Sequence, residues 1–105
     1  MLDKRIQFEE LYISEFYETT TGYFTIDKSL LEELLPGKYP EAESGEISIE
    51  YPTNRPETSM VTVMISPTKD GNDYDWSDYN LNYEQINELV VMVESKLAMM
   101  KEKLS

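Results

Sequence analysis

The chain contains no cysteine and no histidine. These two absences together remove disulfide scaffolds, Cys/His zinc sites, thiol nucleophiles, Ser-His-Asp triads and histidine acid/base chemistry. Positive charge is also scarce: nine Lys and Arg stand against 21 Asp and Glu, a formal net charge of −12 with a pI near 4.2. A chain of that sign cannot hold a nucleic acid by neutralising phosphates, so direct DNA or RNA binding is excluded. No apolar run reaches the roughly 18 residues that a membrane-spanning helix needs. Glu9 and Glu10 fall where a secretory signal would require its apolar stretch. With cysteine absent as well, the expected location is cytoplasmic, away from membranes. Glycine is limited to Gly22, Gly37, Gly45 and Gly71, none of them in phosphate-loop spacing.

What the chain does have is enough apolar material for one core: 105 residues, 40% hydrophobic and 11% aromatic. That size predicts a single domain over 1–105. Ile6 and Phe8 alternate into a stretch from Leu11 to Asp27 that reads as a hairpin, with Thr19-Thr20-Thr21-Gly22 as its turn. Its register is ambiguous, because Leu11, Ile13 and Tyr17 compete with Tyr12, Ser14 and Phe16 for one face. Ser29-Leu30-Leu31-Glu32 has capping-box spacing and opens a short helix that Pro36-Gly37 ends. Residues 38–45 read as irregular. Glu46 to Tyr51 alternate cleanly, with Ile47, Ile49 and Tyr51 inward, and Ser59 to Ser66 alternate again on Val61, Val63 and Ile65. Turn chemistry from Pro52 to Pro56 joins these two strands. Residues 67–81 read as an acidic loop in which Asp70-Gly71 could instead form a tight hairpin, with a fifth strand at Tyr74 to Trp76 as an option. Asn82 and Gln85 stand at capping-box positions before Ile86, Leu89, Val90, Val93, Leu97, Met100 and Leu104, a long amphipathic helix. The expected fold is α+β: an antiparallel four-stranded sheet in β-β-α-β-β-α order, with both helices on one face.

Between residues 6 and 95 only Lys28, Lys38, Arg55 and Lys69 are basic, whereas every acidic residue except Asp3 and Glu102 lies there. One reading is that the acidity only keeps a small protein soluble. The sharper reading is that carboxylates imitate a phosphate backbone and occupy the basic groove of a nucleic-acid enzyme. Size and composition place the chain, by analogy alone, beside small acidic phage or mobile-element inhibitors of host nucleases, including DNA mimics of the anti-CRISPR type. The expected partner-binding residues are Asp70, Asp73, Asp75, Asp78, Glu46 and Glu50, with Tyr74 and Tyr79 as anchors, because aromatic side chains dominate binding hot spots and favour Arg and Lys. Trp76 is expected to fold beneath the long helix and close the core.

Asp73, Asp75, Ser77 and Glu84 match the spacing of a calcium loop, but Asp78 stands where the sharp turn wants glycine, so the residues imply no metal and no cofactor. Carboxylate pairs such as Glu9/Glu10, Glu32/Glu33 and Asp75/Asp78 arise readily in so acidic a chain, and no catalytic role is assigned to them. The alternative function is a protein-interaction module. In that reading Leu97, Met100 and Leu104 overhang the sheet and join two copies into a homodimer.

Overall fold

The computed structural model describes residues 3–53, 60–79 and 81–104. Its elements run β1 (Ile6–Ser14), β2 (Thr19–Asp27), α1 (Lys28–Leu34), β3 (Ser44–Pro52), β4 (Thr62–Lys69), β5 (Asn72–Asp73), β6 (Ser77–Asp78) and α2 (Tyr83–Leu104). The α+β class holds, but the sheet is larger than the expected four strands and the order is β-β-α-β-β-β-β-α. The curled, fully antiparallel sheet runs β1-β2-β3-β4-β5, with β6 also on β4. The extra strands come from the acidic segment expected to be a loop. Asp70 and Gly71 both take left-handed backbone, φ 54° and 80°, as a two-residue turn between Lys69 and Asn72 requires. The chain then pairs with β4 twice, on either side of Tyr74–Trp76 rather than through it.

Both edges of the sheet carry an extra residue. On β1, Phe8 pairs with Phe24 and Glu10 with Tyr23, so Glu9 is a bulge. That inserted residue resolves the ambiguous register: Ile6 and Phe8 before it and Leu11 and Ile13 after it share the core face. On the other edge, Asp73 opposes Thr68 and Asp78 opposes Met64, so five steps on one chain match four on its neighbour. There the Asp75 N–H donates to the Ser66 hydroxyl, 3.2 Å, in place of a ladder bond. Bulges twist a sheet edge away from further pairing, which suits a nine-residue outer strand such as β1.

The β1–β2 turn lies at residues 15–18, where Glu18 takes φ 54°, and the Thr19–Gly22 run belongs to β2. Gly22 is needed for close approach: a Cβ there would lie 2.3 Å from Val93 Cγ2 of α2. Asp27, rather than Ser29, caps α1, accepting the Leu30 N–H at 2.9 Å, while the Ser29 hydroxyl donates to the same carboxylate. Arg5 ties β1 to that helix through a two-pronged contact with Glu33, both at 2.8 Å. The Asn82–Gln85 capping box forms as expected, with Gln85 N–H on Asn82 Oδ1 at 2.8 Å and Asn82 N–H on Gln85 Oε1 at 3.3 Å.

Twenty-two residues give α2 a length of about 33 Å. It packs Ile86, Leu89, Val90 and Val93 onto Phe24, Ile26, Ile47, Ile49, Tyr51, Val63 and Ile65 of the sheet, and buries Leu97 one turn further on. Leu30 and Leu31 of α1 close one end of this core, joined by Tyr39 and Ala42 from the irregular 38–43 stretch. Among the described residues no helix is long and apolar enough to cross a membrane. With the helices on one side, the other sheet face is left open, and it carries the polar members of each strand.

Candidate functional site

The register writes out the open face row by row. Glu10, Tyr23, Ser48, Met64 and Asp78 form one cross-strand row; Gln7, Thr25, Glu46 and Ser66 form the next; Tyr12, Thr21, Glu50 and Thr62 form a third. Asp73 joins the same face opposite Thr68, whose hydroxyl donates to it at 2.8 Å. Neighbouring strands lie about 4.8 Å apart and alternate residues about 6.7 Å apart. Glu46, Glu50, Asp73 and Asp78, four of the expected partner-binding carboxylates, therefore share one surface. The bulge makes this so, because Asp73 and Asp78 are an odd number of residues apart and would otherwise face opposite ways.

The electrostatics of that surface follow from crowding without compensation. The Glu46 carboxyl is pushed up to about 8 by burial, by the Asp73 charge, by a hydrogen bond with Glu9 and by the charge of Glu10. Burial, Glu46 and Glu10 also raise the Tyr23 hydroxyl. The ion pairs seen among the described residues lie elsewhere: Arg5 with Asp3 and Glu33, and Lys69 with Glu41. Lys38 lies over Tyr39 and Lys96 over Phe8, with the ammonium 5.3 and 5.5 Å from the ring centres. Among the described residues no cation pairs with Glu46, Glu50, Asp73 or Asp78.

Other expected site residues fall outside this surface. Asp70 sits at the β4–β5 turn beyond the end of the sheet. Asp75 accepts the Tyr39 hydroxyl at 2.5 Å, which commits it to the core margin. Tyr74 packs edge-on against Tyr39, with ring centres 6.0 Å apart, and stays half exposed. Tyr79 packs against the hydrophobic core, so it is no free anchor. Asp73 and Asp75 are held by different partners, Thr68 and Tyr39, so the calcium-loop spacing is not gathered into one site. Among the described residues no group of three or more acidic side chains is arranged to hold a metal ion.

Trp76 corrects the expectation most directly. It is 38% exposed and lines a depression of about 310 Å³ on the open face, away from α2. Tyr23, Met64, Thr21, Glu50 and Thr62 line it too, and the Thr21 hydroxyl donates to Glu50 at 3.4 Å. The sequence reading also passed over the β1–β2 tip, where Phe16 and Tyr17 are 88% and 73% exposed and pack edge to face. Two adjacent aromatics between Glu15 and Glu18 carry that signal in the sequence, where the hairpin periodicity puts both inside a strand. In α2, Leu97 is only 5% exposed within the single chain, so it is spent in the core rather than kept for a second copy. Met99 and Met100 remain exposed, and the Leu104 side chain and Arg55 lie outside the described residues.

No protein-family model, curated protein or solved structure matches this chain.

Proposed function

We propose that this protein is a non-catalytic acidic binding protein that docks its open sheet face on a cationic protein surface, of the kind that lines the nucleic-acid groove of a nuclease. The observation that carries this reading is the set Glu46, Glu50, Asp73 and Asp78 on one face, with no cation paired to them among the described residues. Crowded carboxylates that raise one another's proton affinity gain most from an external positive charge. Duplex DNA carries about one charge per 1.7 Å of axis, a density that four carboxylates on a sheet do not reach. Charge alone is therefore too weak to displace nucleic acid, and Tyr23, Trp76 and the Phe16–Tyr17 tip supply the apolar anchoring that a competitive inhibitor needs.

The test is capture from a bacterial lysate on immobilised protein, with elution by rising salt or by duplex DNA. The expected result is retention of nucleic-acid enzymes that duplex DNA elutes, lost when Glu46, Glu50, Asp73 and Asp78 are changed together to Gln or Asn. Retention that survives this change, or that DNA does not disturb, overturns the reading. A second reading, assembly of two copies through the end of α2, draws on the exposed Met99 and Met100. Sedimentation distinguishes it: a salt-insensitive dimer that Met99→Ser/Met100→Ser dissolves favours assembly, and a monomer at all salt concentrations favours docking.

A further inference from the structure

The depression beside Trp76 combines features that the docking face as a whole does not. Two aromatic side chains, Tyr23 and Trp76, line it together with the thioether of Met64 and a single carboxylate, Glu50. At about 310 Å³ it lies at the lower end of the roughly 300–1,000 Å³ typical of ligand pockets, so it suits one side chain rather than a whole cofactor. Glu50 is exposed, and its hydrogen bond comes from the Thr21 hydroxyl, a neutral donor, with no cation paired to the carboxylate among the described residues. A guanidinium meets all of these requirements. Its plane stacks on an aromatic face, its N–H fork matches a carboxylate in two-pronged fashion, and it is more weakly hydrated than an ammonium.

Resting on the docking reading above, we infer that this depression is a receptor for one arginine side chain of the partner protein, stacked against Trp76 and Tyr23 and paired with Glu50. Arginine is preferred to lysine because a compact, strongly hydrated ammonium can pair with Glu50 but cannot stack. The carboxylates Asp73 and Asp78 then hold the cations that flank that arginine, and Glu46, protonated in the free chain near neutral pH, joins them on giving up its proton to a docked cation.

Trp76 is the single tryptophan of the chain, so its emission reports on the depression directly. The full chain is titrated at low salt with acetyl-arginine amide, with the lysine analogue and with the uncharged citrulline analogue, which keeps the planar shape. The expected result is a saturable change in Trp76 emission with the arginine compound, weaker binding of lysine and no saturation with citrulline. Glu50→Gln should weaken the arginine response about tenfold, the scale of one lost charge-assisted pair. Glu41→Gln, a control remote from the depression, should leave it unchanged. No saturable change, an equal response to citrulline, or indifference to Glu50→Gln overturns the inference. The two proposals fail separately. DNA-sensitive capture of nucleic-acid enzymes without an arginine response at Trp76 removes the receptor and leaves the docking face, whereas an arginine response without such capture removes the docking reading alone.

Discussion

Replacing Glu46 by glutamine should make the protein more stable at pH 8 while changing little near pH 4. In the folded chain burial, and after it the charge of Asp73 and the nearby Glu9 and Glu10 of β1, raise the affinity of this carboxyl for a proton from an ordinary 4.5 to about 8. Between those two values the folded form keeps a proton that the unfolded chain has released. The folded state therefore binds more protons than the unfolded one, and stability falls as pH rises through that window. Solvent reaches part of the Glu46 side chain, so screening reduces the effect to about 1 kcal/mol at pH 8. For a domain of this size that corresponds to roughly 4–8 °C in Tm. Urea denaturation at pH 4, 6 and 8 measures it without adding ionic strength. The Glu46→Gln protein should match the parent at pH 4 and exceed it progressively above pH 5. An advantage that is the same at every pH, or a loss at pH 8, would refute the raised proton affinity that burial and the neighbouring carboxylates give Glu46.

Three further outcomes follow from the packing. Gly22→Ala should cost about 1–3 kcal/mol, because its Cβ would run into Val93; a urea midpoint unchanged from the parent would show that α2 does not cross β2 there. Asn82→Ala should cost about 1 kcal/mol by leaving the Gln85 N–H without its cap, read as a lower Tm with an unchanged far-ultraviolet spectrum. Phe16→Ser/Tyr17→Ser should change stability by no more than about 0.5 kcal/mol, since both rings are exposed, yet lower partner capture; a large loss of stability would place the tip in the core.

How much could be read from the sequence depended on whether its cause was local. The Asn82–Gln85 box and the Ile86–Leu97 stripe are defined within a few residues, and so is the Glu46–Tyr51 alternation; all three took their expected form. The Asp70-Gly71 turn was legible as an option, because two successive left-handed residues suit that pair. The bulge at Glu9 was not, since it takes its meaning from the partner strand that pairs around it. Gly22 looked like turn chemistry because its real constraint, Val93, lies 71 residues away in the chain. The candidate site divides in the same way. Glu46 and Glu50 were placed correctly by alternation, whereas the arrival of Asp73 and Asp78 beside them required the second bulge. Trp76 was expected under α2 on its size and hydrophobicity, and the irregular stretch between β5 and β6 instead brings it to the open face. Tyr79 lies only one residue beyond Asp78, and its N–H bond to the Val63 carbonyl at 3.0 Å keeps it in the sheet margin against the core.

The docking claim is tested most directly by carboxyl footprinting of the chain, free and bound to a captured nucleic-acid enzyme, with the labelled positions read by mass spectrometry. Glu50, Asp73 and Asp78 should lose reactivity on binding while Glu41 and Glu84 keep theirs. Protection confined to the carboxylates of α2, or uniform reactivity across the open face in the complex, would contradict it.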